Sequence, residues 1–295
     1  DDPSNEEFVM KHATKLETPS TGSHEISGIY GLEIRTLTAA INASVLPKTV
    51  QVGNFVEEAI RETGVTAPLM IMKGDGGVTS MDTFRTKPIL TVLSGPAASV
   101  AGALLYLKIT NGIFVEVGGT STNICIIKNG KPEIRYVTIK NHPTCIRSMD
   151  VRVLGVAGGS MVQVKSNTVV GVGPRSAHIA GLKYSCYAPI DDLSTGEIIF
   201  VKPKPNDIEE YVAIKCKNET YAITNTCAAN ALGRIAQDDY SYSDPEVAKS
   251  ALNILGKKLG VTGTQVALSI LQNASFDITK EITKIIKEFE LDSSK

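Results

Sequence analysis

Tryptophan is absent from the 295 residues, and aromatic side chains make up only 5% of them. Interleaved stacking aromatics of the kind that grip single-stranded nucleic acid are therefore not expected. Charge of one sign is lacking too: 30 Lys and Arg against 31 Asp and Glu leave a formal net charge of −1. That balance excludes a basic footprint for nucleic acid and a polybasic membrane anchor. No apolar run approaches the roughly 18 residues of a membrane span. The acidic, polar start Asp1-Asp2-Pro3-Ser4-Asn5-Glu6-Glu7 has no signal-peptide character. Cysteine is sparse, odd in number and widely spaced, at Cys125, Cys145, Cys186, Cys216 and Cys227, with no Cys-x-x-Cys. A disulfide framework or zinc site is not expected from that pattern, and reduced thiols in a cytoplasmic protein are.

What is present is ordinary globular material. The chain is 42% hydrophobic and 21% charged, which excludes whole-chain disorder, and it is long enough for one large domain or two smaller ones. The first residue is Asp rather than Met, which suggests a piece of something longer.

The first thirty residues are polar and show no periodicity, so they are expected to be irregular. Helical spacing appears from Leu32 to Val45 and is expected to stop at Pro47; a second helix is expected from Val50 to Glu62. Pro68–Met72 is a short apolar strand running into Gly74-Asp75-Gly76-Gly77. Pro96 suits a first helical position in a run of small residues. Strands are expected at Ile113–Val117, Thr122–Lys128 and Ile134–Ile139. Gly118-Gly119-Thr120 and Asn129-Gly130 are the turns, giving an antiparallel three-stranded meander. Gly155–Met161 is a Gly-rich turn, 171–187 reads as loop, a strand pair lies between Ile198 and Ala222, and Asn230–Ile235 as a short helix. The last fifty residues are helical: Asp244 caps, Pro245 follows, and Gly260 stops the first helix; Thr264–Ala274 and a segment lined by Ile278, Ile282, Ile285 and Phe289 form two more. The order of elements is that of a mixed α/β protein.

The stretch Glu116-Val117-Gly118-Gly119-Thr120-Ser121-Thr122-Asn123 carries most of the chemistry. A Gly-Gly turn between strands lets backbone N–H groups approach a ligand, and the hydroxyls of Thr120, Ser121 and Thr122 follow directly. Amides and hydroxyls together suit a phosphate group, and Glu116 suits a Mg²⁺ ion held through water. A plain Gly-rich hairpin explains the same residues, because Thr favours strands. The stretch is neither a Walker loop nor a dinucleotide fingerprint, since a strand follows rather than a helix. Gly158-Gly159-Ser160 and Gly74-Asp75-Gly76-Gly77 are two more turns of this kind, and Asp75 is either a metal ligand or a turn residue. His24, His142 and His178 have no metal-ligand spacing, and Cys145 and Cys227 have no nucleophile context.

Several stretches together resemble the hydantoinase A/oxoprolinase family of the actin/Hsp70/sugar-kinase ATPase superfamily. They are Ser23-His24-Glu25-Ile26, Tyr30–Thr36, Ala40–Ala43, Met72–Gly77, Leu93–Ala98, Glu116–Asn123, Asp150-Val151-Arg152, Gly158-Gly159-Ser160 and Val172–Ala177. The resemblance implies an actin/Hsp70-like (ribonuclease H-like) α/β fold, a mixed sheet with flanking helices that lacks part of the two-lobed whole. Residues 1–110 would be a remnant of the first lobe with connecting helices, and 111–295 the second lobe. It implies ATP-dependent opening of a small cyclic amide such as a hydantoin or 5-oxoproline. ATP would phosphorylate the amide oxygen, and water would then displace it. Gly118, Gly119, Thr120, Ser121 and Thr122, with Gly158, Gly159 and Ser160, would hold phosphate; Glu116, Asp75 and Asn123 would be the catalytic positions, with Mg²⁺ on Glu116 and Asp75.

The resemblance also implies a hydantoinase B-like partner subunit or further lobes, in a homo- or hetero-oligomer. Three departures stand out. Glu116 and Asn123 replace carboxylates of the motif that are usually Asp, and Thr224–Asn230 lacks the Asp of a family Thr-Asp-Ala-Asn stretch. The first phosphate motif and the downstream Gly-Gly-Ala-Gly-Pro adenosine stretch have no copy here. Two other readings stay open: a scaffold of the same fold that has lost the chemistry, and the nucleotide-binding subunit of an acetone-carboxylase-like complex.

Overall fold

The computed structural model describes residues 2–208 and 210–291. The chain divides into two units, one formed by 1–114 and 125–151, the other by 115–124 and 152–295. All five cysteines are free and buried. Among the described residues, no helix is long and apolar enough to cross a membrane.

The first unit begins with α1 (Ser4–Lys15) and α2 (Ser23–Ile26), where the sequence pattern gave no helix. No residue of α1 is buried, so hydrophobic periodicity had nothing to report. It is held instead by Glu6, which accepts from the Ser23 hydroxyl at 2.5 Å and from the His24 backbone N–H at 3.1 Å. Helix α3 (Leu32–Glu62) runs straight through Pro47, where two helices were expected. Proline removes one ladder hydrogen bond. Burial of Thr38, Ala39, Asn42 and Leu46 before it and Gly53 after it holds the helix together across that gap. Asn42 is fully buried and clamps three segments: its Nδ2 donates to Thr21 Oγ1 and to the Thr86 carbonyl, both at 2.9 Å, and its Oδ1 accepts from Ile89 N–H at 3.1 Å.

Strands β1 (Met70–Met72) and β2 (Val78–Ser80) close a hairpin over Gly74–Gly77, followed by α4 (Met81–Thr86) and α5 (Ser94–Leu107). Pro96 is the third residue of α5, not the first; Leu93, in a left-handed conformation, precedes the helix. Next come β3 (Gly112–Val117), β4 (Thr122–Lys128), β5 (Lys131–Pro132), β6 (Ile134–Ile139), β7 (His142–Met149) and β8 (Val151–Leu154). Asn129 and Gly130 both have positive φ, as the tight turn requires, but the expected meander does not form. β5 adds only two residues to β4 before the chain leaves, and β6 pairs with β7 instead. Pro132 has no N–H to extend the ladder.

The second unit continues with β9 (Ser160–Lys165), β10 (Thr168–Ser176), α6 (Ala177–Ala180), β11 (Lys183–Tyr184), α7 (Ile190–Leu193), β12 (Glu197–Val201), β13 (Tyr211–Lys215) and β14 (Thr220–Ala222). The expected loop at 171–187 is thus largely regular structure. The sheet order is β10-β9-β13-β14-β11, with β12 paired to β13. Helices α8 (Asn225–Ala231), α9 (Pro245–Leu259) and α10 (Gly263–Glu288) complete it. Helix α8 starts five residues earlier than the sequence suggested, capped by the Thr224 hydroxyl. Asp244, Pro245 and Gly260 bound α9 as expected, and Gly260 has φ 76°. Its buried stripe is Ala248, Ala251, Leu252 and Leu255. The two expected C-terminal helices are one, opened by a reciprocal Thr262–Gln265 cap. One core joins sheet and helices: Val162, Val164, Val212, Ile214 and Ile223 meet Leu252, Leu255, Val266 and Ile270, all almost fully buried. Truncating one of these leucines to Ala would cost about 2–5 kcal/mol.

Candidate functional site

The Gly-Gly turn joins β3 to β4. Gly118 N–H donates to the Ser121 carbonyl at 3.0 Å, which folds the chain tightly over Gly119 and Thr120. Both residues are exposed, and among the described residues nothing accepts from their N–H groups. These amides are available to an anion.

The turn's carbonyls are engaged. Gly158 N–H donates to the Gly118 carbonyl at 3.0 Å, and Gly159 N–H to that of Gly119 at 2.7 Å. The Gly158 carbonyl accepts from Thr226 twice, from N–H at 2.8 Å and from Oγ1 at 2.9 Å; the Gly159 carbonyl accepts from Ala177 N–H at 2.9 Å. The β3–β4 turn, the 158–159 turn and the start of α8 thus form one backbone relay. Glycine is required at 159: a Cβ there would lie 2.1 Å from the Tyr184 hydroxyl and 2.7 Å from the Gly119 carbonyl oxygen. Gly158 and Gly159 spend their N–H groups on pinning the other turn. Ser160 is fully buried, accepting from Ala157 N–H at 2.8 Å and donating to the Gly155 carbonyl at 3.2 Å. Thr122 is fully buried too, with its hydroxyl given to the Val156 carbonyl. Of the sequence candidates, Gly119 and Thr120 are exposed and Ser121 is half-buried, whereas Thr122 and Ser160 hold the framework.

Glu116 and Asn123 stand together on the facing strands. Asn123 Nδ2 donates to Glu116 Oε2 at 2.8 Å. Asn123 is 9% exposed, and its Oδ1 is buried without a hydrogen-bond partner. An unpaired buried acceptor costs roughly 1–3 kcal/mol, so its retention marks a place where a donor or a bound water belongs. Asn225 Oδ1 is buried and unpaired as well, while its Nδ2 donates to the Ala157 carbonyl at 3.2 Å.

Beside the turns lies a cavity of about 780 Å³, walled by Gly118, Gly119, Gly158 and Gly159 on one side and by Tyr184, Tyr187, Asn225 and Thr226 on others, with Ile235 and Leu271 supplying apolar surface. The rings of Tyr184 and Tyr187 stack at 5.9 Å. Burial pushes the Tyr187 phenol up to about 12, so it remains protonated and donates to the Ser241 carbonyl at 2.8 Å. Asn230, 1% exposed, fixes the 241–243 loop: Nδ2 donates to the Thr226 and Ser241 carbonyls at 3.0 Å, and Oδ1 accepts from Ser243 N–H at 2.7 Å. Sequence reasoning missed this wall. Tyr184-Ser185-Cys186-Tyr187 carries its signal, two aromatics three apart in a chain with few.

Asp75 belongs to the first unit. Its carboxylate accepts from Gly77 N–H at 2.9 Å and pairs with Lys73 at 3.1 Å. Burial opposes its ionisation, but the Gly77 amide, Lys73 and Arg147 outweigh that and hold it below the usual carboxylate range. His24 Nδ1 lies 2.6 Å from Glu6 Oε2, and His142 and His178 are exposed. Among the described residues, no three or more His, Cys, Asp or Glu side chains are grouped to hold a metal. The residues of the second unit fit a phosphate group, with two free amides on a rigid turn. For a metal, the turn offers the Glu116 carboxylate, whose Oε2 already accepts from Asn123.

Two solved structures share this fold. Acetone carboxylase, in a nucleotide-free structure bearing on ATP-dependent acetone carboxylation, aligns over 97% of this chain and 38% of its own, with TM-score 0.72 and 19% identity. The ATP-dependent caprolactamase of Pseudomonas jessenii aligns over 96% and 38%, with TM-score 0.63 and 22% identity. In sequence, the chain is 26% identical to caprolactamase subunit alpha of Pseudomonas jessenii over 59% of this chain and 26% of that one. It is also 26% identical to an uncharacterized protein of Methanocaldococcus jannaschii over 90% of this chain and 38% of that one. The chain thus spans well under half the length of these relatives. The hydantoinase/oxoprolinase family model matches residues 35–295, and the chain belongs to that family.

Proposed function

We propose that this chain supplies the phosphate-gripping lobe of an ATP-dependent enzyme that opens a cyclic amide, a lactam or a hydantoin-like ring. The observation that carries the reading is the pair of free amides at Gly119 and Thr120, on a turn locked by the 158–159 relay and opening beside the cavity. The phosphate oxygens would bond those amides and the Thr120 and Ser121 hydroxyls, while the Tyr184–Tyr187 wall excludes water. ATP would supply the phosphoryl group that makes the amide oxygen a leaving group. The likeness to an ATP-dependent caprolactamase supports the cyclic-amide class, and that relative's being an alpha subunit supports a multi-subunit assembly, in which a hydantoinase B-like subunit would be the partner. Residues 111–295 would then be the second ATPase lobe of a cytoplasmic enzyme, with Mg²⁺ held through water near Glu116.

A second reading has its own observation. Asn123 offers a neutral amide, not a carboxylate, so this chain alone would bind nucleotide without turning it over. Calorimetry with Mg-ATP, followed by ATP hydrolysis with and without caprolactam or 5-oxoproline, tests both. Binding without turnover, restored by Asn123→Asp, supports the scaffold reading. Cyclic-amide-stimulated hydrolysis supports the enzyme. Absence of any nucleotide binding refutes both.

A further inference from the structure

Helix α3 turns one face to its own unit and leaves another uncovered. On the covered face beyond Pro47, Gly53 is buried, and the Phe84 ring lies 3.3 Å from where a Cβ would stand. Asn54 accepts from Arg85 Nε at 3.1 Å, and Glu57 pairs with both Arg85 and Arg61. A separate face carries Val45, Val52, Phe55, Val56 and Ala59, all of them exposed, Phe55 by 61%. Exposed apolar residues scattered singly need no explanation. These five are not scattered: at the helical repeat they fall in one stripe about 100° wide. Val45, Val52 and Ala59 recur every seven residues, and Phe55 comes three after Val52. That is the spacing of a helix that packs along another helix, and a continuous exposed stripe of this kind marks an interaction surface.

Two charges decide which helix fits. Lys48 lies on the stripe and Glu62 on its margin; both are exposed, and among the described residues neither has an ion-pair partner. They stand fourteen residues apart, near opposite ends of the apolar segment, which is about 21 Å along the helix axis. Two copies of α3 laid parallel would set Lys48 against Lys48 and Glu62 against Glu62. Laid antiparallel, each Lys48 meets Glu62 of the other copy. The stripe is thus complementary to itself under a two-fold axis, as an interface between identical chains must be.

We infer that the exposed face of α3 is a homodimer interface, in which two copies of this chain pack antiparallel about a two-fold axis crossing the helix between Val52 and Phe55. Phe55 of each copy then lies against Val52 of the other. The small side chain of Ala59 leaves room for the aliphatic stem of Lys48 from the other copy, whose ammonium reaches on to Glu62. The contact runs from Val45 to Glu62, about 27 Å of helix, and a strip that long and one helix wide is at the small end of specific interfaces. The dimer should therefore come apart on dilution. Nucleotide binding plays no part in it.

The test is analytical ultracentrifugation and light scattering of the purified chain at concentrations from about 100 µM down to about 0.1 µM, at low salt so that the charge pairs are not screened. The expected result is twice 31.5 kDa at the top of the range, falling to 31.5 kDa on dilution. Phe55→Glu should be monomeric throughout. Lys48→Glu should raise the dissociation constant about tenfold by setting like charges together, and adding Glu62→Lys should return it to within about threefold of the parent. All three positions are exposed, so the variants should keep the circular dichroism of the parent. A monomer at every concentration overturns the inference and leaves the stripe to a different partner. A dimer that Phe55→Glu leaves intact, or a Lys48→Glu defect that Glu62→Lys does not rescue, overturns it as well.

Discussion

Placing a methyl group at Gly159 tests whether the backbone relay is what holds the site. The new Cβ would sit 2.1 Å from the Tyr184 hydroxyl and 2.7 Å from the Gly119 carbonyl oxygen. A tyrosine ring can swing away, but a carbonyl that accepts a 2.7 Å hydrogen bond from Gly159 itself cannot move without breaking that bond. Overpacking costs about 1–3 kcal/mol, and the lost bond adds about 1 kcal/mol. Gly159→Ala should therefore destabilise the second unit by roughly 2–4 kcal/mol, a large share of the ~5–15 kcal/mol of a typical domain. With a urea slope of about 2 kcal/mol per molar, the midpoint should fall by about 1–2 M. Adding Tyr184→Phe removes only the nearer clash, so it should recover part of the loss. Gly119→Ala is the control, since a Cβ there meets nothing within 4 Å. It should leave the unfolding free energy within about 0.5 kcal/mol of the parent. If the proposed phosphate site is right, it should still weaken ATP about tenfold by crowding the free amide, ~1.4 kcal/mol. Equal urea midpoints for Gly159→Ala and Gly119→Ala would refute the relay.

Asn123→Asp sets a carboxyl against Glu116 at a nearly buried position. Its folded pKa should rise above the unfolded value of about 3.9, so stability is full below that pH and falls as pH rises through the folded value. A Tm that drops between pH 5 and 8, is restored by Mg²⁺, and has no counterpart in the parent is the expected scan; a flat profile would contradict it. The Ser23 hydroxyl, then His24, hold Glu6 down to about 2. That stability is present above the unfolded value near 4.5 and is lost as pH falls toward 2, so Glu6→Gln should destabilise the first unit at pH 7 and have little effect at pH 2, read by thermal melts. Asn42→Leu and Asn230→Leu each leave three backbone or hydroxyl partners without the amide's hydrogen bonds. Each should cost roughly 3 kcal/mol in urea unfolding, and a loss below about 1 kcal/mol would mean water replaces the amide.

The sequence determined the local geometry wherever one residue's own backbone preference decides it. Gly260 after α9, Pro245 behind its Asp244 cap, and the Asn129-Gly130 turn all stand where their φ preferences place them. The Gly-Gly turn between two strands was equally legible, because it rests on contiguous residues, and the family was legible from several such stretches taken together. Long-range satisfaction was not legible. Pro47 was outvoted by burial along α3, and α1 formed without an apolar face because Glu6 is bonded to residues 23 and 24. Above all, the sequence offered the 118–122 and 158–160 turns together as phosphate candidates. Only the tertiary structure decided that the 158–159 amides are spent on the carbonyls of 118 and 119, leaving Gly119 and Thr120 free. An amide N–H makes one strong hydrogen bond, and whether that bond goes to protein or to ligand depends on which carbonyl the fold brings within 3 Å.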